Sequence, residues 1–166
     1  LQRITPMFPA NQVVAMEVPA RDADAVADML KALPGVAGVT AASGLPAGRF
    51  PSVPVQVRTD NGRSARAAVI GADASFFQTI GLPMLRGRTF DASEANPHAA
   101  AAVVSETAAA VLWPGEEPIG ARLTMTGRTA TTVVTVIGVC RDALDMGALL
   151  KSGLVRPDIY RPLDRA

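Results

Sequence analysis

Cysteine, histidine and tryptophan each occur once in this sequence, and aromatic residues make up 4% of it. A lone cysteine, Cys140, excludes an internal disulfide. One thiol and one imidazole, His98, leave a structural zinc site short of ligands, so no metal is expected. Charge is nearly balanced, 16 basic residues against 15 acidic, for a net +1. The basic residues read as scattered, as in Arg58, Arg63 and Arg66, or Arg86 and Arg88, with no stripe interleaved with aromatics. Nucleic-acid binding draws its affinity from many phosphate contacts, so no nucleic-acid partner is expected. Long hydrophobic runs are missing too. The longest uncharged stretch, 32–48, is broken by Pro34, Pro46 and four glycines. The most apolar stretch, 129–140, is threonine-rich and too short to cross about 30 Å of hydrocarbon. The sequence shows no signal peptide and begins at Leu1 rather than methionine, which reads as a fragment excised or processed from a longer product.

What is present is a small-residue, turn-rich composition. Nearly half the residues are hydrophobic, many of them alanine, with 13 prolines and 14 glycines. Frequent turns and short elements follow, which excludes a long helical bundle. A chain of 166 residues buries roughly 70% of its unfolded surface and fits one domain or two small subdomains.

Local signals predict an order of elements. Residues 12–18 are β-branched and apolar and read as a strand closed by Pro19. Asp22 is placed to cap a helix whose apolar face is Val26, Met29, Leu30 and Leu33, with Lys31 in its last turn and Pro34-Gly35 ending it. Residues 36–42 read as a second strand, completing a βαβ unit. Val53, Val55 and Val57 alternate with Pro54, Gln56 and Arg58, and Pro54 points to an edge strand. Asp60-Asn61-Gly62 is a turn signal that folds 65–70 back as a hairpin. Asp73 can cap a short helix carrying Phe76, Phe77 and Ile80, stopped by Gly81. Strand 101–104, a helix capped by Ser105 and ended by Trp113-Pro114-Gly115, a hairpin of 123–126 with 132–139, and a last strand at 158–163 complete the pass. The fold class is α+β with mixed sheet in two lobes.

The chemistry-bearing residues do not assemble into a site. Asp142, Asp145 and Asp158 show none of the loop spacing that a hard cation needs and read as caps and solvated turns. His98 follows Asn96-Pro97 in a loop and has no nucleophile motif beside it; Ser105 cannot be paired with it on spacing alone. Residues 81–89, with Gly87-Arg88-Thr89, are superficially similar to a phosphate loop but have five residues between the glycines and arginine where lysine is needed. Cys140, in a run of apolar residues, reads as a buried thiol. Met84, Met125, Met146 and the phenylalanines read as core, and Trp113 as a packing anchor or a partner surface. No catalytic residue, cofactor-binding residue or metal ligand is assigned, no cofactor is expected, and an enzyme using Asp142 or Asp145 is disfavoured.

Several blocks in a fixed order carry a family resemblance. The stretch 73–90 runs Asp73, Phe76-Phe77, Gly81, Met84-Leu85 and Gly87-Arg88-Thr89-Phe90. It is followed by Val103-Val104-Ser105-Glu106-Thr107, Leu112-Trp113-Pro114-Gly115 and Glu117-Pro118-Ile119-Gly120, then 133–139, then Ile159-Tyr160-Arg161-Pro162-Leu163. Upstream stand Leu33-Pro34-Gly35-Val36 and Ser43-Gly44-Leu45-Pro46. This order resembles MacB-like periplasmic core domains of ABC-transporter permeases with FtsX-like membrane regions. The alanine-rich 92–102 departs from the family pattern only slightly.

The resemblance implies a non-catalytic domain outside the cytoplasmic membrane, within a parent protein of the cell membrane. It implies a porter-like βαβ lobe from 1–72 and 153–166, with a second, inserted α+β lobe from 73–152. ATP would be hydrolysed by a cytoplasmic ATPase, a second permease copy would complete a dimer, and ATP-driven change would be transmitted mechanically to a substrate or a periplasmic partner protein. The alternative is a periplasmic module that binds a small hydrophobic or lipidic ligand in an apolar cleft.

Overall fold

The computed structural model describes residues 12–45, 54–94, 99–143 and 157–163. A 3₁₀ turn at Ala20–Asp22 leads into its first α-helix, α1 (Ala23–Lys31). Then come β1 (Pro54–Thr59), β2 (Ser64–Ala72), α2 (Phe76–Ile80), β3 (Met84–Gly87), β4 (Ala101–Ser105), α3 (Glu106–Leu112), β5 (Arg122–Thr126), β6 (Thr131–Cys140) and β7 (Asp158–Pro162). All seven strands belong to one sheet in the order β3-β6-β4-β7-β2-β1-β5, and β5 pairs with β6 as well as with β1. That last pairing closes the sheet on itself. β6 is long enough to serve three neighbours: its first half takes β5, its second half takes β3 and β4. The β2–β7 and β4–β6 ladders are parallel and the rest antiparallel, so the sheet is mixed, as the α+β reading expects.

Side-chain alternation divides the core in two. Inside the barrel lie Val57, Ala67, Ala102, Val104, Leu123, Met125, Val134, Val136 and Ile159, joined by Ala108, Leu112 and Trp113 of and just after α3. The opposite faces of the same strands contribute Ile70, Ala72, Val103, Cys140 and Tyr160, and these are covered by Phe76, Phe77 and Ile80 of α2, with Leu82 and Phe90. Three rings stack there: Phe77 and Tyr160 edge-on with centroids 5.1 Å apart, and Phe76 within 5.5 Å of Phe77 and 5.8 Å of Tyr160. So one helix packs with the barrel interior and one against its wall.

Local chemistry explains most elements. Asn61 and Gly62 (φ +86°) turn β1 into β2. Gly81 (φ +71°) ends α2 in the left-handed conformation that glycine tolerates. Ser105 caps α3 by accepting from Ala108 N–H at 3.2 Å. β3 and β6 approach so closely that a Cβ on Gly87 would run into the Ile137 carbonyl, and one on Gly138 into the Arg88 carbonyl.

Four expectations need correction. Residues 12–18 form no strand; apart from a 3₁₀ residue at the start they are irregular and mostly exposed. Residues 36–42 make a single bridge, Ala42 to Ala72, rather than a strand. The expected βαβ unit is therefore absent among the described residues: there, 12–18 have no strand alongside to complete their backbone hydrogen bonds, and 36–42 meet β2 only at the Ala42–Ala72 bridge. β1 is not an edge strand. It pairs on both sides, and Pro54 is tolerated because it is the first residue and the β5 ladder begins only at Gln56. The fourth concerns α1, whose predicted apolar face exists but buries nothing: Met29 is 71% and Leu33 52% exposed. Strands from the stretches assigned to different lobes hydrogen-bond within one sheet.

Candidate functional site

The arm formed by residues 12–39 is joined to the barrel at a polar strap. Asp73 lies between β2 and α2, and its carboxylate accepts from Thr40 Oγ1 at 2.6 Å, from Ala41 N–H at 2.9 Å, and from Ser75 N–H and Oγ at 2.9 and 2.8 Å. Two residues on, Ser43 N–H donates to the Gly71 carbonyl at 2.8 Å, and Gly71 N–H returns a bond to Ser43 Oγ at 2.7 Å. Asp73 does not cap α2 as expected. Ser75 holds the N-cap position, and the Asp73 carboxylate fixes Ser75 and the strap together.

A groove of about 610 Å³ runs between β3 and α3, floored by Leu85, Ala109, Ala110 and Trp113. Its rim is ionic: Arg86 pairs with Glu117 at 3.1 Å, and Glu106 and Glu116 stand nearby. Charged walls around so small an apolar floor suit a lipidic ligand poorly. Trp113 is 5% exposed and packs with the barrel interior, which makes it an anchor.

The other chemistry-bearing residues serve the fold. Asp142 accepts from Thr107 N–H at 3.0 Å and Thr107 Oγ1 at 2.7 Å, which places a carboxylate at the N-terminus of α3. Ser105 Oγ accepts from both Ala108 N–H and Asp158 N–H. Arg88, of the loop-like 81–89, makes a two-pronged bond to Glu94 at 2.7 and 2.9 Å. That bond holds the Glu94 carboxyl below its usual range. Asp91, bonded chiefly by Ser93, is lowered in the same way. Cys140 is fully buried, and desolvation pushes its thiol well up, so it is the inert thiol expected. Tyr160 is likewise pushed up by burial, and its hydroxyl has no hydrogen-bond partner among the described residues. Met125 is buried in the barrel and Met84 packs against the outer cluster. His98, Asp145 and Met146 lie outside the described residues. Among the described residues no three His, Cys, Asp or Glu side chains converge as a metal site would require, and no helix is long and apolar enough to cross a membrane.

The family model that matches the chain, over residues 2–166, is the MacB-like periplasmic core domain. The chain belongs to that family. It is 33% identical over 117 residues to the macrolide export ATP-binding/permease protein MacB of Bartonella quintana (strain Toulouse), covering 69% of this chain and 16% of the relative. The fold is shared with the extracellular domain of the ABC-type transporter YknZ from Gram-positive bacteria. That likeness has 21% identity and a TM-score of 0.60, over 87% of this chain and 64% of that one. It is shared equally with the periplasmic region of MacB from Actinobacillus actinomycetemcomitans, at 17% identity and a TM-score of 0.60, over 91% and 57%. The chain thus spans about a sixth of the MacB protein and about three fifths of the solved domains. MacB-like membership identifies it as a periplasmic domain of an ABC-transporter permease.

Proposed function

We propose that this domain is a non-catalytic lever that carries ATP-driven movement of its permease to a substrate or partner protein outside the cytoplasmic membrane. In this reading a cytoplasmic ATPase hydrolyses the nucleotide, two permease copies form a dimer, and the outer domains move as the dimer closes. The observation that carries it is mechanical: a barrel closed by the β5–β6 ladder, with an arm fastened to it at the polar strap around Asp73. A closed barrel resists bending because no strand can slip without breaking two ladders.

The two-lobe division, a porter-like lobe from 1–72 and 153–166 with an inserted lobe from 73–152, belongs to the same proposal. Two observations support it. α1 leaves its apolar face uncovered. The stretches drawn into the porter-like lobe from the two ends of the chain meet at β2, where Leu163 N–H donates to the Ala72 carbonyl beside the Ser43–Gly71 pair.

The test uses the complete permease with its ATPase in lipid vesicles. Spin labels are placed at Met29→Cys on the arm of both copies, and the distance between them is measured with and without a trapped ATP state. A nucleotide-dependent change is expected, while a label pair at Arg66→Cys and Thr126→Cys within one barrel keeps its distance. An arm distance indifferent to nucleotide defeats the lever reading, as does substrate turnover by the purified domain.

A further inference from the structure

Arginines that are scattered in the sequence meet on the outer wall of the barrel. Register sets Arg66 of β2 opposite Gln56 of β1, and Gln56 opposite Thr126 of β5. Two residues along, Arg58 of β1 faces Ser64 on one side and Thr124 on the other. Two further along, Arg122 of β5 lies opposite Thr135 of β6. Arg66, Arg58 and Arg122 thus form a diagonal across three neighbouring strands, a spacing within reach of long side chains. Arg128, in the β5–β6 turn, closes a shallow hollow of about 410 Å³ with Arg66, Gln56 and Thr126.

All four arginines are exposed, and none takes part in an ion pair among the described residues. Arg86 and Arg88, by contrast, each hold a carboxylate. The carboxylates around them are Asp60, in the β1–β2 turn, Asp158 of β7, opposite Ala68 two residues along β2 from Arg66, and Glu116, which accepts from Asn61 at 3.2 Å. Between the arginines stand Ser64, Gln56, Thr124 and Thr126, neutral groups able to donate hydrogen bonds. Among the described residues the sheet gives none of these arginines an ion pair in return for holding them, so folding alone does not account for the arrangement.

We propose that this wall is a binding site for a phosphate-bearing ligand. One phosphate is held in the hollow between Arg66 and Arg128 with donors from Gln56 and Thr126, and the diagonal through Arg58 and Arg122 accepts further anionic groups of the same ligand. The planar guanidinium fork matches two phosphate oxygens at once, and hydroxyl and amide donors complete the shell. The ligand's source is either an anionic lipid headgroup or a soluble phosphate compound.

Inorganic pyrophosphate is titrated into the 166-residue chain. In parallel, the chain is sedimented with vesicles of phosphatidylglycerol mixed with phosphatidylcholine, and with phosphatidylcholine alone as the blank. Binding that weakens as salt rises is expected, with a loss of about tenfold or more in Arg66→Glu/Arg128→Glu and a partial loss in Arg66→Lys. Arg66→Gln/Arg128→Gln repeats the test if the charge reversal disturbs folding. Vesicle binding alone assigns a headgroup and pyrophosphate binding alone a soluble ligand; either supports the site. The proposal fails if neither probe binds, if the double variants bind as the parent does, or if polyglutamate binds as well as pyrophosphate.

Discussion

The barrel and the arm are written in the same valine-rich, alanine-rich alphabet, and they end in opposite states. Val57 and Val136 are fully buried, while Val14 is 90% exposed and Met29 71%. The difference lies in what stands next to each segment. Every barrel strand has a neighbour whose register matches its buried positions, so a β-branched pattern becomes a ladder and a packed face. Residues 12–18 carry a similar pattern without a strand beside them among the described residues, and they stay irregular. α1 needs no neighbour to form. Alanines at 23, 25 and 27, an Asp28–Lys31 ion pair at 3.1 Å and a cation in the last turn favour it locally. Helices can be completed within a segment, strands cannot, and the arm shows both halves of that rule.

The sharpest way to break the comparison is to truncate one side chain in each region. Phe76→Ala removes a fully buried ring from the stack with Phe77 and Tyr160. It should cost about 3–5 kcal/mol in chemical denaturation. Met29→Ala with Leu33→Ala should change stability by less than about 0.5 kcal/mol, as at other exposed sites. An arm variant as damaging as the core variant would show that α1 is packed after all.

A middle-sized effect is expected where the two regions join. Asp73→Ala deprives Thr40, Ala41 and Ser75 of their acceptor. The loss should be about 2 kcal/mol and local. Hydrogen exchange should quicken at the amides of Ala41 and Ser43, while those of β4 and β6 keep their protection. Uniform quickening across the barrel would mean that the strap is part of the core rather than a joint.

Legibility followed sequence distance. The hairpin at Asp60-Asn61-Gly62, the Gly81 stop, the Ser105 cap and the β5–β6 turn were all readable, because each depends on residues within a few positions of one another. Barrel closure was not. It requires β5 to meet both β1 and β6 in register, and no local pattern announces a partner some 70 residues away. The role of Asp142 at α3, 35 residues from Thr107, was hidden for the same reason. So was the arginine wall. Arg58 and Arg66 look dispersed beside Arg122 and Arg128 until the ladder aligns them. A family resemblance could be read because its blocks are local, whereas the surface they build together could not.

The smallest effect separates ionic decoration from core. Arg88 donates two bonds to Glu94 and holds that carboxyl below the ordinary value of 4.5. A carboxyl lowered in the folded state adds stability at pH above its unfolded value, and the contribution is lost as pH falls through the folded one. Glu94→Gln should therefore lower Tm slightly at neutral pH, and the gap from the parent should close on acidification below about pH 4. Arg88 is half exposed, so water and salt screen the pair and the shift should be the least of the three. Paired melts at pH 7 and pH 3, with and without added salt, measure it. A gap that persists in acid would mean that Glu94 matters for its shape rather than its charge, through the neutral bond it also accepts from Asp91 N–H at 3.0 Å.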